Sequence, residues 1–215
     1  MNQLYLENVS KSIKGTKLID SVSLKLTGGQ IYGFVGANGS GKTMLFRAIA
    51  GLIRIDSGKV VYNDQVIGKD LQILPSVGLT IENANLYPEW NAFDNLKFLA
   101  DIKHRITKQE IRDAIQLVGL DPMDKRPIRK YSLGMRQRLV IAQAIMEKPD
   151  VLILDEPFNA LDQDGVDWLR KLLQKKREEG CLILLSSHNG EDIDLLADEI
   201  YMVRAGRVTV KEHED

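Results

Sequence analysis

The run QIYGFVGANGSGKTMLFRAIAGL, residues 30–52, constrains this chain more than any other. A short apolar stretch leads directly into a glycine-rich loop, and the loop into a helical pattern. Strand, loop and helix in that order form a phosphate-binding unit. The glycines let backbone N–H groups converge on phosphate oxygens, and the positive end of the helix adds to the attraction. Residues 36–43 match G-x-x-x-x-G-K-[ST]. The predicted nucleotide-binding residues are Gly36, Asn38, Gly39, Ser40, Gly41, Lys42, Thr43 and Met44. Lys42 would reach the β- and γ-phosphates, and the Thr43 hydroxyl would ligate Mg²⁺.

Two later runs, VLILDEP and CLILLSSH, are too continuously apolar for surface strands. Apolar strands alternating with helices predict an α/β fold with a parallel sheet covered on both faces. The N-terminal part, QLYLENV and SVSLKLT, reads as antiparallel strands, and DSGKVVYNDQVI as a hairpin turned at Asn63 and Asp64. The middle is helical. Thr107 and Glu110 form a capping box before one helix, which Asp121 and Pro122 should stop. Residues 1–83 and 149–215 are expected to form a core with a β subdomain, and about 84–148 a helical subdomain. The whole is one unit, consistent with 215 residues.

The net charge of −1 gives no electrostatic case for nucleic acid. The single cysteine, Cys181, excludes an intrachain disulfide and a cysteine-built metal site. The first ten residues lack the layout of a signal peptide. No apolar run approaches the roughly 18 residues needed to cross a bilayer.

Three groups can do chemistry with the glycine-rich loop. Asp155 ends one apolar strand, where its carboxylate can hold Mg²⁺ through water. Glu156 follows, on the other side of the pleat, placed to deprotonate an attacking water. His188 ends the next apolar strand, within reach of a γ-phosphate. A fourth stretch, RKYSLGMRQR, holds no acid, histidine or cysteine. Ser132 reads as a helix N-cap with Gly134 behind it, which is a second anion site by the same physics. Two such helix starts and one Lys-Thr-Mg²⁺ apparatus make sense if the second closes on another molecule's nucleotide. A plain capped helix is the competing reading of the stretch taken alone.

Together these motifs resemble the ATP-binding subunits of ABC transporters. GANGSGKT corresponds to the Walker A loop, VLILDE to Walker B, YSLGMRQR to the signature motif, NALD with Asp162 to the D-loop, and His188 to the switch histidine. The resemblance implies a P-loop, RecA-like core, an antiparallel β subdomain and a helical insertion. It implies catalysis by Glu156, His188 and Lys42, with ATP and Mg²⁺ held by Thr43 and Asp155. It also implies head-to-tail dimers in which Ser132 and Gly134 act in trans. Integral-membrane subunits and a location on the cytoplasmic face of the membrane follow from the same likeness.

Three departures from the family pattern matter. Met135 replaces a glutamine and cannot make its amide hydrogen bonds. Glu82 stands where a glutamine is usual. A carboxylate about 5 Å from a phosphate charge would be repelled by roughly 3 kcal/mol at an effective dielectric of 20, so Glu82 should face Mg²⁺ or its water. Glu82 and the altered signature are similar to those of bacitracin-resistance and lantibiotic-immunity exporters, which implies export, of antimicrobial peptides or lipids. Ile13 occupies the place of an adenine-stacking aromatic, unless Tyr5 substitutes. Tyr87, Trp90 and Phe93 are either anchors for a membrane subunit or part of the subdomain's own core. The rival functions are a soluble ABC ATPase acting on ribosomes or nucleic acid, and a P-loop small-molecule kinase.

Overall fold

The computed structural model describes residues 2–81, 86–188 and 190–211. Two long strands, β1 (Gln3–Ile13) and β2 (Thr16–Thr27), open the chain, followed by β3 (Ile31–Val35) and α1 (Lys42–Ile49). A short hairpin, β4 (Ser57–Tyr62) and β5 (Gln65–Val66), precedes β6 (Val77–Thr80). The helical section holds α2 (Ala92–Lys103), α3 (Lys108–Leu117) and α4 (Leu133–Ile145). The remainder is β7 (Val151–Leu154), α5 (Gln163–Glu178), β8 (Leu182–Ser187), α6 (Glu191–Asp194), β9 (Glu199–Arg204) and β10 (Arg207–Val210).

The strands form two sheets. One is antiparallel, in the order β2-β1-β4-β5. The other runs β10-β9-β3-β8-β7-β6, parallel from β9 to β6, with β10 as an antiparallel edge. The pleat explains the continuous apolar runs. Val151, Ile153, Leu182 and Leu184 face the antiparallel sheet and α1, together with Tyr32 and Phe34 of β3. Leu152, Leu154, Ile183 and Leu185 face the helices on the opposite side. Each strand is therefore buried on both faces, at roughly 1.5–3 kcal/mol per large apolar side chain. Cys181 belongs to this interior, and desolvation pushes its thiol up to about 12.

Some local expectations are corrected. Asp121 and Pro122 do not stop the third helix: α3 ends at Leu117, and Gly119 with φ of 76° turns the chain first. Its capping box is present as expected, with Thr107 and Glu110 bonding each other's backbone N–H. Phe93 packs against the helical core with Arg112 over its ring. Tyr87 and Trp90 are instead exposed, stacked at 4.4 Å, and joined edge-on by Phe98. Among the described residues no helix is long and apolar enough to cross a membrane.

Candidate functional site

Four neighbouring strands of the parallel sheet, β3, β8, β7 and β6, deliver their C-terminal ends to one edge, where open α/β sheets bind ligands. Loops from that edge and the start of α4 line a cleft of about 810 Å³. The glycine-rich loop forms its floor, with Asn38, Gly39, Ser40, Gly41, Lys42, Thr43 and Met44 in the lining. Gly36 leads into the loop, its N–H 3.3 Å from the Ser187 carbonyl. Gly41 caps α1 at φ of 113°, a conformation that a side chain would strain. The helix start has neither a side-chain cap nor an acidic residue in its first turn. Its N–H groups are left for an anion.

Lys42 is buried and folded back over the loop. Its ammonium donates to the Gly36 carbonyl at 2.7 Å and the Ala37 carbonyl at 3.3 Å. It also lies 3.4 Å from Glu156 Oε1. Thr43 Oγ1 donates to Asp155 Oδ2 at 2.6 Å, and Ser186 Oγ donates to the other Asp155 oxygen. The Ser186 hydroxyl also accepts the Glu156 N–H at 2.9 Å. One serine that sequence reasoning missed thus fixes both acids. It stands on β8, two residues before His188, and only the adjacency of β7 and β8 brings it there.

Glu156 does not simply occupy the opposite face of the pleat. β7 ends at Leu154, and Glu156 adopts φ of 51°, which turns its side chain back toward the loop. Glu156 Oε2 receives the His188 N–H at 3.2 Å and lies 2.8 Å from His188 Nδ1. A carboxylate accepts only, so Nδ1 carries the proton and Nε2 is left for another partner. Lys42, Glu156 and His188 are therefore linked through the Glu156 carboxylate at the mouth of the loop.

The residues also meet the needs of a nucleotide with Mg²⁺. Ser40 Oγ and Thr80 Oγ1 are buried without a hydrogen-bond partner among the described residues, and both residues line the cleft. Buried polar atoms left unpaired are costly, and phosphate oxygens or ordered water would satisfy them. Thr43 and Asp155 supply two oxygens at one point. Mg²⁺ is commonly held by one or two protein oxygens together with phosphate and water. Glu82 lies outside the described residues.

The second helix start is built differently. Ser132 caps α4, its hydroxyl accepting the Met135 N–H at 3.1 Å, and the first turn again has no acid. Along α4, Leu133, Arg136, Gln137 and Val140 line the cleft, whereas Ser132 and Gly134 do not. Ser132 is exposed, and Leu133 is 67% exposed. A Cβ at Gly134 would lie 3.2 Å from the Ala160 carbonyl, so the absence of a side chain lets the loop before Asp162 pass close by. Asp162 caps α5 by accepting the Gly165 N–H at 2.9 Å. Gln137 Nε2 donates to the Pro157 carbonyl at 3.0 Å, linking the helical section to the loop after Glu156.

Comparison with known proteins gives the same picture. The family model described as ABC transporter matches residues 19–159. The chain is 44% identical over 205 residues to the uncharacterized ABC transporter ATP-binding protein YybJ of Bacillus subtilis, covering 95% of this chain and 94% of that protein. It is 32% identical over 212 residues to the lantibiotic transport ATP-binding protein SrtF of Streptococcus pyogenes, covering 99% and 91%. Several other relatives are longer, and the chain spans about two thirds of their length. In fold it is similar to MJ0796, a bacterial ABC transporter cassette solved as a dimer, with a TM-score of 0.87, 21% identity and 99% coverage of both chains.

Proposed function

The chain belongs to the ABC transporter family, whose ATP-binding cassettes hydrolyse ATP, and on that premise we propose how its own residues carry out the work. ATP enters the cleft with its phosphates on the loop from Gly36 to Thr43. Lys42 exchanges the Gly36 and Ala37 carbonyls for phosphate oxygens, and the orphaned Ser40 hydroxyl gains a partner. Thr43 and Asp155 would hold Mg²⁺, which would neutralise phosphate charge when bound.

Glu156 orients an attacking water and accepts its proton. Its carboxylate is released for this when Lys42 turns to the phosphates. His188 keeps Glu156 in place through Nδ1 and leaves Nε2 to face the γ-phosphate. Catalysis of this kind is mostly positioning and charge stabilisation. The single observation that carries the reading is the Glu156 carboxylate poised between Lys42 and His188 beside the Thr43–Asp155 pair.

A second such chain completes the site. Ser132 and Gly134 sit at a helix start open to solvent, beside but outside their own cleft, where they are placed to meet the phosphates of a partner copy. The dimer described for MJ0796 supports this arrangement. Separate membrane subunits supply the pathway, and the exposed Tyr87, Trp90 and Phe98 offer them an aromatic anchor. The likeness to SrtF supports export, with peptides of the lantibiotic kind as the cargo class. The cytoplasm supplies the ATP.

The test is phosphate release by the purified chain given Mg²⁺ and ATP and no other substrate. Hydrolysis without an acceptor, lost in Lys42→Ala and Glu156→Gln, is expected. A need for an acceptor molecule would favour a kinase instead. Recovery of the chain with ribosomes in place of membranes would favour a soluble ATPase.

A further inference from the structure

The residues that end β8 and follow it hold three different parts of the site. Ser186 Oγ donates to Asp155 and accepts the Glu156 N–H at 2.9 Å. The Ser187 carbonyl accepts the Gly36 N–H at 3.3 Å, at the entry to the phosphate loop. His188 meets the Glu156 carboxylate with its N–H and with Nδ1. β8 lies between β3 and β7, with Ser186 in register with Phe34 and Leu185 with Leu154. That placement sets Ser186 beside the point where β7 gives way to the two acids.

Ser186 is 0% exposed and does not line the cleft. Its two bonds have a fixed direction. A carboxylate only accepts and an N–H only donates, so the hydroxyl proton goes to Asp155 and a lone pair to Glu156. At Asp155, one carboxylate oxygen takes the Ser186 proton and the other takes the Thr43 proton at 2.6 Å. The Asp155 backbone is held as well, its N–H donating to the Thr80 carbonyl of β6 at 2.8 Å. At Glu156, the bond falls on a residue with φ of 51°. A left-handed conformation is costly for a residue with a side chain, and it persists only where its surroundings impose it. The Ser186 hydroxyl is one such constraint, because it anchors the Glu156 N–H in the turned conformation. That conformation aims the carboxylate at Lys42 and His188.

We propose that Ser186 is a positioning residue that sets both acids at once. It fixes the carboxylate of Asp155 beside Thr43, and it fixes the turn that presents Glu156 to the attacking water. It acts through these two residues, from behind the cleft. The inference rests on the proposed nucleotide site and couples the two halves of its chemistry through one hydroxyl. A serine that served stability alone would change the folding of the chain and leave its response to Mg²⁺ as it was.

The experiment pairs calorimetry with turnover in variants of the full chain. Ser186→Ala removes the hydroxyl. Ser186→Cys keeps its bulk but offers only a weak donor and acceptor, and Ser186→Thr keeps the hydroxyl. Thermal unfolding of each nucleotide-free chain checks folding. Calorimetry measures ATP affinity with Mg²⁺ and again with EDTA, and kcat is counted per ATP-binding chain. In Ser186→Ala and Ser186→Cys, the affinity gained from Mg²⁺ should shrink about tenfold, the scale of a lost hydrogen bond to a charged group. Affinity in EDTA, set by the loop and Lys42, should stay unchanged. Turnover should fall roughly ten- to hundredfold for the same reason. Ser186→Thr should hold both quantities within about threefold of the parent chain, since it keeps the same donor and acceptor. A folded Ser186→Ala or Ser186→Cys chain with the parent's Mg²⁺ gain and kcat overturns the inference. A fall in kcat with the Mg²⁺ gain intact overturns it too, as does a folded Ser186→Thr chain as impaired as Ser186→Ala. Failure of the nucleotide reading looks different: the parent chain itself then shows neither Mg²⁺-dependent ATP binding nor hydrolysis.

Discussion

Two helices of this chain begin without an acidic residue, and their N-termini have opposite surroundings. α1 starts inside the cleft at Gly41, with a buried lysine folded over its loop and an oxygen pair at Thr43 and Asp155 beside it. α4 starts at the exposed Ser132, with a hydroxyl cap. Arg129, three residues before Ser132, is paired with Glu89, and Arg136 is tied to the carbonyls of Ile128 and Arg129. The first start has a buried cation, an oxygen pair and a nearby carboxylate. The second has a neutral hydroxyl cap, and the guanidiniums on either side of it are engaged with Glu89 and with backbone carbonyls. The difference teaches that α1 carries its own cation and oxygen pair at its mouth, whereas α4, on the proposed reading, adds a neutral cap to a partner's site.

The comparison breaks most readily at Glu156, which serves the first start. Glu156→Gln should cut ATP turnover by roughly a hundredfold or more, the usual span for a lost general base, while retaining ATP binding. Loss of binding with turnover would make Glu156 a ligand for the substrate. Next is Lys42→Ala, expected to weaken Mg-ATP affinity about ten- to a hundredfold in calorimetry, as a charged hydrogen bond of ~1.5–3 kcal/mol implies. Unchanged affinity would mean that Lys42 stays on its own carbonyls. Ser132→Ala sharpens the contrast. It should cost about 1 kcal/mol of unfolding free energy as a lost N-cap, and it should lower turnover without altering the affinity of the isolated chain for nucleotide. A fall in that affinity comparable to Lys42→Ala would place Ser132 in its own cleft.

The smallest effect expected is on thiol chemistry. Burial keeps the native Cys181 thiol raised to about 12, so it should resist alkylation at pH 8 until the chain unfolds. A cysteine introduced at Ser132 should then be the single reactive thiol. In a Glu156→Gln background, Mg-ATP should protect it.

Much of this was legible in the sequence because the informative residues follow the periodicities of the backbone. The apolar runs at 151–154 and 182–185 imply strands buried on both faces, and the strand-loop-helix order at 31–49 implies the phosphate loop. Asp155, Glu156 and His188 were readable because strand ends in a parallel sheet share an edge. What escaped depends on geometry that residue types do not encode. Leu18 lines the cleft through a one-residue slip in register, invisible in TKLID taken alone. The orientation of Glu156 comes from a positive φ at a residue that rarely adopts one. The aromatic patch includes Phe98, not Phe93. The two are five residues apart, or about 140° around a helix of 3.6 residues per turn. Ser186 is not legible in the sequence because its role depends on which strand lies next to β7.

The most direct test of the trans assignment is the mass of Glu156→Gln in solution at saturating Mg-ATP, by size exclusion with light scattering. A particle of twice the 24.2 kDa chain is predicted, returning to the single-chain mass when Ser132→Glu places a carboxylate against the partner's phosphates. A single-chain mass with ATP bound, or a dimer indifferent to Ser132→Glu, would contradict it.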